Sequence, residues 1–150
     1  MSDQVRSVEV GPRDGLQNEK TPVSVEDRIA FTKALFAAGL HTIEVGSFVS
    51  PKAIPKMQGS DLVFLGVRDL PGEFHVLVPN EKGYEGAKAV GAKVIAAFAS
   101  ASEGFSRANV NCSGAEPIER LTAVIARAQA GRTQDRGHVS GVPGWPQARP

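Results

Sequence analysis

Sulfur is scarce in this chain, with one Cys and two Met among 150 residues, and the aromatic side chains are seven Phe with only one Trp and one Tyr. A single thiol, Cys112, cannot make an internal disulfide, so a reducing cytoplasm is the expected setting. An excess of charge is also missing. Seventeen basic and sixteen acidic side chains leave a formal +1, which offers nothing to draw in nucleic acid or an anionic membrane surface. No apolar run approaches the ~20 residues of a spanning helix. Met1–Arg6 has neither an apolar stretch nor an Arg/Ser-rich amphipathic pattern, so no targeting leader is expected. His41, His75 and His138 stand apart, without the His-x-His or His-x3-His spacing of a metal site. There is no glycine-rich phosphate loop of either usual spacing.

What is present reads as an ordinary water-soluble domain, 41% hydrophobic and 22% charged, long enough to bury ~68–70% of its unfolded surface. Strand-like and helix-like stretches alternate. Ser7–Val10 reads as a first strand, Thr42–Val45 as a second, Phe74–Val78 as a third and Val94–Ala99 as a fourth, with a hint of a fifth at Val139–Ser140. Between them, Ser24 with Asp27 opens a helix whose Val25, Ile29, Leu35, Phe36 and Leu40 share a face, with Arg28 and Lys33 off it. That helix ends at Ala38-Gly39. A helix is expected near residues 60–68, although Val63-Phe64-Leu65 also suits a strand. Another runs from Glu81 to Val90, and Ser113 with Glu116 has capping-box spacing for a last one. Strict alternation at about thirty residues implies α/β architecture with a parallel sheet, either doubly wound or a segment of an eightfold barrel. The expected organisation is four βα units over 1–131, then a degenerate or poorly ordered tail over 132–150 that carries Pro143, Pro146 and Pro150.

Parallel α/β proteins bind ligands at the C-terminal ends of their strands. Arg13 and Asp14 fall there, followed by Gly15, and Glu44 ends the second strand. A carboxylate in that position suits a hard divalent cation, and a guanidinium suits an oxygen that becomes an enolate. Spacing alone also allows a charged surface turn and a solvated Glu. As neighbours in sequence, Arg13 and Asp14 need not pair with each other, whereas Glu44 on the adjacent strand is the natural partner for Arg13. Cys112 precedes a helix with no His near it in sequence and reads as a packed or idle thiol. Ser100–Glu103 is a polar strand end and a candidate for the rim of a pocket, unspecific as a motif.

Taken together, Val8–Lys20, Ile43–Lys52, Val78-Pro79-Asn80, Ala99–Glu103 and Asn109–Ser113 resemble the hydroxymethylglutaryl-CoA lyase family over about residues 5–140. The resemblance implies the first half of a TIM barrel. It also implies a lyase of leucine degradation that splits hydroxymethylglutaryl-CoA into acetoacetate and acetyl-CoA with Mg2+ or Mn2+. It would make Asp14 a metal ligand and Arg13 the group that stabilises the enolate. Glu44 would support Arg13 and the acid–base network, while Gln17 and Lys20 match substrate-side motif positions.

The departures lie toward the C-terminus. The family's His-x-His pair, its Asn ligand and its catalytic Cys loop have no counterpart here, and Cys112 matches a different position. Arg136-Gly137-His138-Val139-Ser140-Gly141 stands where the family has an Arg-Gly-Tyr-Val-Ser-Cys type strand. The chain is therefore expected to be inactive alone, with an acyl-CoA as its partner by family and open barrel edges that invite self-association. A related Claisen-type acyltransferase, of the isopropylmalate or homocitrate synthase kind, and a non-catalytic barrel fragment are the alternative readings. Leu16–Lys20 and Ser47–Lys52 favour the lyase.

Overall fold

A computed structural model of the chain describes residues 5–100 and 116–140. Four strands form one parallel sheet among them: β1 (Thr42–Ser47), β2 (Glu73–Leu77), β3 (Val94–Ser100) and β4 (Gln134–Ser140), side by side in that order. Alternating with them are α1 (Leu16–Asn18), α2 (Val25–Ala37), α3 (Ser60–Val67), α4 (Glu81–Ala89) and α5 (Glu116–Ala130). Parallel neighbours joined through helices, with no strand out of order, make up about half of an eightfold (β/α) barrel wall.

Side-chain alternation along each strand gives the sheet two different faces. Ile43, Val45, Phe74, Val76 and Ile95 pack against Val63, Phe64 and Val67 of α3, Tyr84 and Ala87 of α4, and Val124 and Ala128 of α5. Each fully buried Val or Ile there contributes about 1.5–3 kcal/mol. The opposite face carries Glu44, His75, Arg136 and His138.

Helix ends follow from local chemistry. Ser24 caps α2, its hydroxyl accepting from the Asp27 N–H at 3.0 Å. The helix closes with Leu40 N–H bonded to Leu35 O and Gly39 N–H to Phe36 O, with Gly39 at φ +96°. This paired arrangement satisfies two terminal carbonyls and needs a residue at ease with left-handed backbone. Val63-Phe64-Leu65 is helical, because Val63, Phe64 and Val67 then fall on one buried face.

Three expectations are corrected. Ser7–Val10 is not a strand. It contributes a single parallel bridge, Glu9 to Ile43, made by Glu9 N–H to Thr42 O at 3.0 Å and Glu44 N–H to Glu9 O at 2.8 Å. The ladder stops because the Val10 carbonyl turns away to accept from the N–H groups of Arg13, Asp14 and Gly15, and Pro12 has no N–H to donate.

Arg28, placed off the apolar face of α2, is 1% exposed. Its Nη1 donates to Gln58 O at 2.8 Å and its Nη2 to Ser60 Oγ at 3.1 Å.

The tail expected from residue 132 includes β4, which pairs with β3 along its whole length from Val94↔Gln134 to Ser100↔Ser140. Backbone pairing orders a stretch whose side chains show no hydrophobic period. Ser113, Cys112 and the Ala101–Glu103 rim lie outside the described residues, as do Pro143 and Pro146.

Candidate active site

The π-helical turn Gly11–Gly15 lifts Arg13 over the end of β1. Its guanidinium makes two contacts. Nε donates to Glu44 Oε1 at 2.5 Å, and Nη1 donates to Asp14 Oδ1 at 2.7 Å. Arg13 therefore does pair with its sequence neighbour, because the tight turn brings both side chains to one side. Glu44 is 0% exposed, Arg13 13% and Asp14 52% along their side chains. A wholly buried carboxylate is tolerable only with such a partner. Nη2 of Arg13 has no partner among the described residues, so the fork keeps free donors. The turn is itself braced by Glu9, whose Oε1 accepts from Gly11 N–H at 2.6 Å.

Sequence reasoning missed His138. Its Nε2 lies 3.4 Å from Glu44 Oε2. Two strands, β2 and β3, separate them along the chain, and only the β1–β4 order with its register brings them together. Burial pushes the imidazole pKa below the ordinary histidine value; Glu44 opposes this, while Arg136, Arg13 and His75 reinforce it.

A second missed group lies under the strand end. Ser60 Oγ accepts from Ser47 N–H at 3.0 Å and from Arg28, and donates to Met57 O at 2.6 Å. This fixes the C-terminal end of β1 at Ser47, three residues beyond Glu44, which the sequence placed at the strand end but which lies mid-strand. No sequence signal marks it, since Arg28 stands with Glu26, Asp27 and Lys33 among the polar residues of α2. Burial without a carboxylate partner pushes the Arg28 pKa down.

Gln17 stands on α1 beside the turn, with Oε1 buried and unpartnered. Lys56 Nζ ties down the same segment through Gln17 O at 3.4 Å and Glu19 O. Lys20 is exposed in the following loop and is not drawn into the cluster. At the opposite end of the strands, Glu73 bonds Arg6 at 2.6 Å and His75 at 2.5 Å. Burial raises its pKa, but the hydrogen bonds and charges of His75 and Arg6 bring it below the ordinary carboxylate value.

As a metal centre the set is incomplete. Among the described residues, no three His, Cys, Asp or Glu side chains converge on a point. Asp14 offers one carboxylate, with Oδ1 already engaged by Arg13.

The HMGL-like family model matches residues 4–142. The chain belongs to the HMGL-like family. A 3-hydroxy-3-isohexenylglutaryl-CoA/hydroxy-methylglutaryl-CoA lyase of Pseudomonas aeruginosa is 52% identical over 143 residues, 95% of this chain and 48% of its own. The mitochondrial hydroxymethylglutaryl-CoA lyase of Homo sapiens is 47% identical over 95% of this chain and 44% of its own. Among solved structures, hydroxymethylglutaryl-CoA lyase from P. aeruginosa superposes with a TM-score of 0.90 at 51% identity, covering 97% of this chain and 49% of that one. An HMG-CoA lyase described as from Acenitobacter baumannii, in complex with coenzyme A and 3-methylmalate, superposes at 0.81 with 38% identity, covering 88% and 43%. The chain spans about half the length of the curated relatives it matches. No described helix is long and apolar enough to cross a membrane.

Proposed function

We propose that this chain supplies the enolate-binding wall of a lyase that cleaves 3-hydroxy-3-methylglutaryl-CoA to acetoacetate and acetyl-CoA. The observation that carries the reading is the pairing of Arg13, in the Gly11–Gly15 turn, with the wholly buried Glu44 of β1, with Arg13 donors left over. In the reaction the tertiary alcohol loses its proton and its oxygen becomes the acetoacetate ketone. The electrons of the broken carbon–carbon bond pass to the thioester as an enolate, which a proton converts to acetyl-CoA. The Nη2 donors of Arg13 suit the enolate oxygen, and a fixed donor aimed at developing charge needs no reorganisation. Glu44 neutralises the guanidinium and sets its plane. Gln17, with its buried unpartnered Oε1 beside the turn, is proposed as a substrate-side residue, and Lys20 is proposed for the same role on its motif position alone.

A divalent cation, Mg2+ or Mn2+, is the proposed cofactor. Asp14 would be one ligand, and the rest of its shell would come from outside the described residues. Such an ion would supply acidity to the substrate alcohol. The acyl-CoA is the proposed partner, by analogy with the relative solved with coenzyme A. The open edges at β4 and at residues 5–10 are proposed to let the chain self-associate. A reducing cytoplasm is the proposed location on cysteine usage, against mammalian relatives named mitochondrial.

The test is acetyl-CoA release. The 150-residue chain with Mg2+ or Mn2+ is expected to release none. Mixed with the C-terminal half of the P. aeruginosa relative, and once co-elution verifies assembly, it is expected to gain activity, which Arg13→Gln lowers by about 100-fold or more. An assembled pair that is active yet indifferent to Arg13 would overturn the reading.

A further inference from the structure

Glu44 is gripped at one oxygen only. Oε1 bonds Arg13, while Oε2 is buried and has no hydrogen-bond partner. His138 Nε2 is likewise buried without one. The two orphaned atoms face each other at 3.4 Å, close enough for an ion pair yet outside good hydrogen-bond alignment. Each orphan is costly alone, and a small rotation satisfies both.

We propose that His138 is a positioning residue for Arg13, holding Oε2 of Glu44 so that Oε1 stays fixed on the guanidinium. This rests on the enolate-binding role proposed for Arg13. The physical reason lies in the glutamate side chain. Its terminal torsion is broad and roughly two-fold, so a carboxylate held by one oxygen swings about that contact and carries the arginine plane with it. A second contact on the other oxygen locks the plane and, through Nε, the direction of Nη2.

The groups facing the His138 ring are Glu44 from β1, Arg13 from the turn, His75 from β2 and Arg136 from its own strand. Burial and the two arginines favour the neutral imidazole, which donates from Nε2 when Oε2 is the acceptor. Protonation adds a cation beside Arg13 and Arg136 and strains the same geometry. Arg13 is therefore aimed best when His138 is neutral.

The test uses the isotope-labelled 150-residue chain without substrate, following the His138 ring and Arg13 Nε–H resonances from about pH 8 to about pH 5. Exposed His41 serves as the internal control. The Arg13 signal is expected to shift with the midpoint of His138. Glu44→Gln is expected to lower that midpoint further by removing the one opposing charge. His138→Phe is expected to abolish the Arg13 response, whereas His138→Gln, which keeps an N–H donor, holds the signal near its high-pH position.

An Arg13 signal that stays flat while His138 titrates would overturn the proposal, as would a His138 midpoint unmoved in Glu44→Gln. Both arms remain decisive if His138→Phe does not fold. Neither depends on catalysis. A flat Arg13 signal therefore leaves the lyase reading standing, and an inactive assembled pair leaves this coupling standing.

Discussion

Gly46 lies against Ser60 with no room for a methyl group between them: a Cβ at position 46 would sit 2.6 Å from Ser60 Oγ. The contact occurs where β1 slips register between Glu44 and Gly46, one turn of pleat beyond the buried carboxylate. Gly46→Ala is expected to cost about 1–3 kcal/mol by overpacking, read as a lower urea midpoint. In Gly46→Ala/Ser60→Gly the two costs should be less than additive, because the second change removes both clashing atoms, Ser60 Oγ at 2.6 Å and Cβ at 2.7 Å.

Ser60 serves three partners at once. Ser60→Ala strips the acceptor from Ser47 N–H and from Arg28, at roughly 1–3 kcal/mol per orphaned group. Arg28→Met removes an unpaired buried cation and puts an apolar chain of similar reach in its place, so it should cost less than Ser60→Ala. Urea unfolding of the two variants ranks them. The reverse order would mean that Arg28 stabilises through contacts other than this hydroxyl.

The buried ion pair makes a sharper prediction. Arg13→Met leaves Glu44 charged and dry, at an expected cost of about 3–5 kcal/mol. Arg13→Met/Glu44→Leu should recover most of that. A double variant no more stable than the single one would show that the Glu44 carboxylate is held mainly by something other than Arg13.

Acid should weaken the fold in two stages. The folded pKa of His138 is lowered, so below the ordinary histidine value of about 6.5 the unfolded chain binds more protons and stability falls with pH. Glu73 is also lowered. Its contribution is present above the unfolded carboxylate value of about 4.3 and is lost as pH falls through the folded one. Urea midpoints measured from about pH 7 down to about pH 2 in His138→Gln and Glu73→Gln should each flatten their own stage. Curves parallel to the wild type would show that other groups set the acid limit.

These cases also mark what was legible beforehand. Arg13, Asp14 and Glu44 were readable because each sits at the end of a short β-branched stretch, and parallel sheets put ligands there. The alternation of strands and helices was readable for the same local reasons: caps, periodicity and glycine stops. His138 was not, since its neighbour depends on a four-strand register that no local pattern encodes. Nor was Arg28, because amphipathic periodicity assigns every polar residue to solvent. The first strand was over-read from Val8 and Val10, whose propensity loses to the turn that takes up the Val10 carbonyl.

The two unlike faces of the sheet have a consequence for how the chain withstands water. Most of its apolar packing lies between strands and helices, while the face that would line a closed barrel mixes Glu44, His75, Arg136 and His138 with Leu77, Val94 and Ala96. Leaving that face wet bares apolar side chains only where they are interspersed with charged ones. The more reactive feature is the outer edge of β4, which has no partner strand among the described residues, so association should proceed edge to edge, and capping that rim with a strand-breaking proline should suppress it while the interior stays filled.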